Sequence, residues 1–114
     1  MKAFGTFVLF ALLLGTALAQ NSDLAGNWKI TWLAGGKPNS VTLTDNKGDV
    51  SGTYVSDDGT GCSASGTNLN GKVTLHVECA KWDIWMNGRL ADGAVSGDYT
   101  AYRNSTGKFR MVRF

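Results

Sequence analysis

Apolar and polar side chains alternate along most of the chain after Asp23. A period of two is typical of β-strands that bury one face and leave the other in water. In the first such run, Trp28, Ile30 and Trp32 share a face that excludes Lys29. The same reasoning predicts eight strands, near residues 26–34, 39–45, 48–56, 60–67, 71–80, 82–91, 93–103 and 107–114.

Segments rich in Gly, Asn and Asp separate these runs, among them Asp57-Asp58-Gly59, Asn70-Gly71 and Asp92-Gly93. Turn signals at intervals of about ten residues are typical of an antiparallel meander. Such a meander forms either a closed barrel or a flattened sandwich. We favour a single up-and-down, all-β barrel of about eight strands, because tight hairpins close it without long crossovers and no sheet edge is left exposed.

An internal echo supports a repeated hairpin unit. Residues 48–54 and 93–99 share the pattern Gly-x-Val-Ser-Gly-x-Tyr. The middle glycines, Gly52 and Gly97, lie inside predicted strands, where glycine is typical of a kink or a bulge in a strongly bent sheet.

The N-terminus has the features of a signal peptide. Lys2 supplies a positive charge, residues 4–14 are almost wholly apolar, and Ala17-Leu18-Ala19 has the form of a cleavage site. The apolar run is shorter than the roughly 20 residues of a membrane-spanning helix. We expect cleavage of residues 1–19, a single domain over 20–114, and a secreted or periplasmic protein without a lipid anchor.

Composition gives little reason to expect a charged partner. Loss of Lys2 with the signal peptide lowers the formal net charge from +2 to +1, so neither nucleic acid nor a membrane surface is expected as a partner. Cys62 and Cys79 are the only cysteines. In an oxidising compartment we expect them to form a disulfide, stabilising a small domain by about 3 kcal/mol in the chain-entropy model.

The sequence shows no pattern for catalysis or for a cofactor. His76 is the only histidine, and with Glu78 it offers two metal ligands where zinc needs three or four. Asp57 and Asp58 precede Gly59 in a predicted turn, where Asp is favoured by the backbone. There is no nucleophile elbow and no phosphate-binding loop. We therefore expect no metal, no cofactor and no enzyme activity.

Four tryptophans stand out in so short a chain. Trp28, Trp32 and Trp82 fall on apolar faces and are expected to fill the barrel interior. Trp85 falls on the polar face of its strand. It is either an exposed binding anchor or the mark of a bulge that shifts the register, and both readings stay open.

Gly26-x-Trp28, followed by the hairpin that ends in Gly52-Thr53-Tyr54, resembles the start of avidin-type barrels within the wider calycin-like set. Trp85-x-x-Gly88 is a fainter echo. In that family the barrel mouth binds biotin through polar first-strand residues, a hairpin Tyr and Trp walls. The resemblance places Tyr54 on the hairpin Tyr and Ser56 near a neighbouring hydroxyl. Ile30 replaces a polar contact and Tyr99 a wall Trp, so the resemblance implies a site at the mouth but not biotin as its ligand.

These observations predict a secreted, non-catalytic binding protein. The expected partner is a small, partly apolar molecule at the barrel mouth, with candidate ligand-binding residues Trp32, Tyr54, Ser56, Trp85 and Tyr99. The alternative is a protein-binding inhibitor of a secreted protease or lysozyme, which would use Trp85, Arg89 and the Asp57-Asp58 turn.

Overall fold

The predicted strands form a closed antiparallel barrel in a computed structural model, which describes residues 23–114. The predicted signal peptide, residues 1–19, lies outside the described residues. The barrel is confirmed over the sandwich, and the strands lie close to their predicted bounds. They are β1 Gly26–Trp32, β2 Asn39–Asn46, β3 Asp49–Val55, β4 Gly61–Leu69, β5 Lys72–Glu78, β6 Asp83–Ala91, β7 Ala94–Ala101 and β8 Ser105–Arg113.

Each strand pairs with its neighbours in the chain, and β1 closes the barrel by pairing with β8. The connections differ between the two ends. At one end, β2–β3, β4–β5 and β6–β7 are joined by Lys47-Gly48, Asn70-Gly71 and Asp92-Gly93, in which both residues have positive φ. That is the backbone of a two-residue type I′ turn, which favours Asn-Gly and Asp-Gly.

The other end carries the longer connections, residues 33–38, 56–60, 79–82 and 102–104. The last of these is a short 3-10 turn in which Arg103 has a φ of 61°. We call this the open end, and the end with the two-residue turns the plugged end.

The core lies inside the barrel, because the apolar side chains of every strand point inward. Leu24 and Trp28 fill the plugged end and are both fully buried. The indole Nε1–H of Trp28 donates to the Leu24 carbonyl at 2.8 Å. Asp45 accepts from the Leu24 amide at 2.9 Å, so the segment before β1 is fixed across the barrel as a plug.

Gly52 and Gly97 pair with β2 and β6 in an unbroken register, so neither marks a bulge. Their role is close approach of two backbones. A Cβ at Gly52 would lie 1.8 Å from the Thr42 carbonyl oxygen, and one at Gly97 would lie 1.9 Å from that of Asn87. Only glycine fits where the coiled strands come this near to each other.

The predicted disulfide is confirmed: Cys62 in β4 is bonded to Cys79, just after β5, near the open end. A disulfide in a small barrel is consistent with an extracellular or periplasmic protein. Among residues 23–114 there is no helix of the length and apolarity needed to cross a membrane.

Candidate functional site

The barrel has a cavity at its open end with a volume of about 530 Å³. Pockets for small molecules usually have volumes of about 300–1,000 Å³, so this one is large enough for a ligand. Its walls combine aromatic, small and acidic side chains: Trp32, Gly35, Asn39, Tyr54, Ser56, Asp57, Asp58, Trp82, Ile84, Tyr99, Ala101 and Ser105.

Four aromatic rings form most of the apolar wall, in two edge-to-face pairs. The ring centroids of Trp32 and Tyr99 are 4.9 Å apart, and those of Tyr54 and Trp82 are 6.1 Å apart. Edge-to-face pairs are favoured by the ring quadrupoles and hold one another in place. The rings come from β1, β3, β7 and the residue before β6, which are far apart along the chain. Closure of the barrel brings them together.

Buried Asn39 ties the aromatic wall to the acidic loop. Its Oδ1 accepts from the Trp32 indole at 2.8 Å. Its Nδ2 donates to the Val55 carbonyl at 3.1 Å and to Oδ1 of Asp57 at 2.8 Å. One amide therefore fixes the positions of a ring and of a carboxylate that both line the cavity.

The loop between β3 and β4 is organised by Asp58. Its Oδ1 accepts from the Ser56 hydroxyl at 2.5 Å and from the Thr60 amide at 2.9 Å. The Ser56 bond and the Thr60 bond lower the pKa of Asp58 to about 2. Asp58 thus remains a carboxylate at the rim of the cavity at any ordinary pH.

Tyr54 is only 3% exposed, yet its hydroxyl has no hydrogen-bond partner among residues 23–114. No polar side-chain atom of that part of the chain is both fully buried and unpartnered, so this hydroxyl must be open to the cavity that Tyr54 lines. Burial, with the nearby negative charge of Asp57, raises the pKa of Tyr54 to about 12. The phenol therefore stays neutral and is available to a ligand as donor or acceptor.

The structure brings four of the five candidate ligand-binding residues together at this mouth: Trp32, Tyr54, Ser56 and Tyr99. Trp85 does not join them. The β6 register runs through it without a bulge, so its side chain points outward and is 53% exposed. The alternative of a bulge at Trp85 is therefore wrong.

On the outer face Trp85 lies flat against His76, with ring centroids 3.7 Å apart and planes at 3°. His76 also contacts Asp83 through Nε2 at 3.0 Å. Trp85 lines an outer groove of about 400 Å³ with Lys81 and Tyr102, and this groove shares Trp82 and Ala101 with the cavity wall. Arg89, which belongs to the alternative inhibitor hypothesis, is exposed farther along the same strand.

Sequence reasoning did not assign several of the lining residues to the cavity, among them Asn39, Asp57 and Trp82. Asn39 keeps the period of Val41 and Leu43, so alternation alone would have placed it inside. Asp57 was interpreted as a turn residue and as part of the surface of an inhibitor, although it lines the cavity. Trp82 was expected in the filled core, but it is half-buried and forms part of the cavity wall.

No protein-family model matches the chain, and no curated protein matches it significantly.

Proposed function

We propose that this chain is a secreted, non-catalytic binding protein that takes a small, partly apolar ligand into the open end of its barrel. The observation that carries the proposal is the cavity of about 530 Å³ walled by four aromatic rings. Its volume lies in the range of small-molecule sites, and polar side chains beside the rings can orient a ligand.

Two further features support a ligand over an empty mouth. The Tyr54 hydroxyl lacks a partner within residues 23–114, and the Asn39 bonds hold Trp32 and Asp57 in fixed positions before any ligand arrives. A preorganised site loses less conformational freedom on binding. The avidin-type resemblance of the first hairpin points to the same end of the barrel, through Tyr54 and Ser56.

The test is a titration of tryptophan fluorescence with a panel of small aromatic and aliphatic molecules, biotin included. The variant Ala101→Phe adds a ring inside the cavity, because Ala101 is one of its lining residues. Thr100→Phe is the matched control, since both positions line the outer groove but Thr100 does not line the cavity. We expect saturable binding that A101F abolishes and T100F keeps. Absence of binding by every panel member, or equal binding by A101F, would contradict the proposal.

The alternative, a protein-binding inhibitor of a secreted protease or lysozyme, draws its support from Trp85. An exposed Trp held rigid by a stacked His is a suitable anchor for a protein partner. Inhibition assays with wild type and Trp85→Ala test it. Under this alternative W85A loses inhibition, whereas Trp32→Ala, at a residue that lines the cavity but not the outer groove, retains it.

A further inference from the structure

The charge around the mouth suggests which ligands it selects. Asp57 and Asp58 are the only charged residues that line the cavity within residues 23–114. The nearest basic residues line neighbouring grooves and not the cavity itself. Lys81 and Arg103 line the outer groove, and Lys29 and Lys37 line a groove that borders the cavity at Asp57. Neither Asp57 nor Asp58 forms an ion pair with any of residues 23–114, so the rim of the cavity keeps its negative charge.

The aromatic walls also favour a positively charged ligand. The faces of Trp and Tyr rings attract cations through the ring quadrupole, and cages of such rings are used to bind organic ammonium groups. Trp32, Tyr54, Trp82 and Tyr99 supply four such rings around one cavity. An apolar ligand alone would need the rings but not the carboxylates.

The polar groups of the mouth suit an N–H donor. Asp57 uses Oδ1 to accept from Asn39, and a carboxylate has acceptor sites for further donors. The unpartnered Tyr54 hydroxyl lies close enough to Asp57 for that charge to act on its pKa. An ammonium group between them would donate to both oxygens, whereas a ligand carboxylate would be repelled by the negative charges of Asp57 and Asp58.

Resting on the proposed function, we infer that the mouth selects organic cations, namely protonated amines carried on an apolar or aromatic body. Asp57 is the counter-charge, Tyr54 accepts one N–H, and the aromatic rings surround the apolar part.

The experiment compares three probes that share a phenyl ring on a two-carbon chain and differ in charge: 2-phenylethylammonium, 2-phenylethanol and 3-phenylpropionate. Binding is measured by calorimetry at pH 7 and about 20 mM salt, where screening is weak. We expect the amine to bind at least about tenfold more tightly than the alcohol, and the carboxylate to bind most weakly. Raising the salt to about 0.5 M should weaken the amine more than the alcohol.

Asp57→Asn keeps an oxygen for the Asn39 bond and removes the charge. We expect it to reduce the amine-to-alcohol ratio by about fivefold or more. Asp49→Asn is the matched control, since it makes the same change at an exposed position of β3 near the plugged end. It should leave the ratio unchanged.

The outcomes separate the inference from the function on which it rests. If the alcohol binds as tightly as the amine, or if D57N keeps the wild-type ratio, the cation preference is wrong while the ligand site stands. If no probe of any charge binds, and the wider panel does not bind either, the ligand site itself is wrong. The probe series and the salt dependence need no variant, so poor folding of D57N leaves the test intact.

Discussion

The two ends of the barrel are built from the same eight strands but hold different contents. At the plugged end, two-residue turns bring the strands together and Leu24 and Trp28 fill the space between them. At the open end, loops of several residues leave a cavity of about 530 Å³. The strands form the wall, and turn length together with the segment before β1 decides which end is accessible.

Polar groups show the same contrast. Asp45 at the plugged end accepts from the amides of Leu24 and Gly48 and from the side chain of Asn68. These bonds serve the fold alone. At the open end Asn39 fixes its neighbours, but the Tyr54 hydroxyl has no hydrogen-bond partner within residues 23–114. A polar group that opens into a cavity without a partner in the described chain is therefore a better indicator of a site than an aromatic surplus.

The largest expected difference between the ends comes from the same substitution made at each. Trp28→Ala removes a fully buried ring and should lower the free energy of unfolding by about 3–5 kcal/mol. Trp82→Ala removes a half-buried ring from the cavity wall, for which we expect about 1–2 kcal/mol. Urea unfolding followed by circular dichroism measures both. Equal losses would contradict the distinction between a filled and an open end.

Two asparagines offer a closer comparison. Asn39→Ala leaves the Trp32 indole and Asp57 without their partner and should cost about 1–3 kcal/mol of stability. Asn68→Ala breaks the bonds to Asp45 and Gly71, for a similar cost. Only N39A should also weaken ligand binding, in a calorimetric titration, by about tenfold. Equal binding by the two variants would show that Asn39 does not organise the mouth.

The acid stability of the plug depends on Asp45. Burial raises the pKa of Asp45, but its bonds to Asn68, Leu24 and Gly48 together outweigh burial and leave that pKa below the ordinary value of 3.8. A lowered folded pKa means that the stabilisation is complete above the unfolded value and is lost as pH falls below it. We expect the free energy of unfolding of the wild type, followed through its thermal midpoint, to decrease as the pH is lowered below about 4. At neutral pH, Asp45→Asn should be less stable by about 1 kcal/mol, and its thermal midpoint should decrease less in acid. Parallel curves for the two proteins would contradict this role.

The smallest expected effect on stability is at Gly107 in β8, which pairs with Tyr99 in β7. A Cβ at this position would lie 2.7 Å from the Tyr99 hydroxyl oxygen, so Gly107→Ala must move the ring that packs on Trp32. Because a side-chain tip can move, we expect a loss of stability of about 1 kcal/mol or less, with a severalfold change in ligand affinity. Ala substituted for exposed Ser96 in β7 is a control that should change neither.

Most of the fold could be predicted from the sequence because strand periodicity is local. The inward positions Trp28, Ile30 and Trp32, and the outward position Trp85, follow from counting by two. The pairing of Cys62 with Cys79 follows from their being the only cysteines.

The site could be predicted only in part because it is assembled by non-local contacts. The sequence around Leu24 does not predict that this residue closes one end of the barrel. Its position depends on hydrogen bonds with Trp28 and with Asp45, and Asp45 lies about twenty residues away along the chain. Asp57 satisfied every rule for a turn residue, and only the bond to Asn39 places its carboxylate at the mouth. Trp85 was assigned to the mouth by its residue type, although its own alternation directed it to the outer face.

The four indole N–H groups provide the most direct test of the ligand site. Trp28 reports on the plugged end, Trp32 on the mouth and Trp85 on the outer face, while Trp82 lines both the cavity and the outer groove. In a proton–nitrogen NMR titration with 2-phenylethylammonium, we expect the Trp32 and Trp82 signals to shift and saturate while those of Trp28 and Trp85 stay in place. A shift confined to Trp85, or no shift at any of the four, would contradict a ligand site at the open end of this barrel.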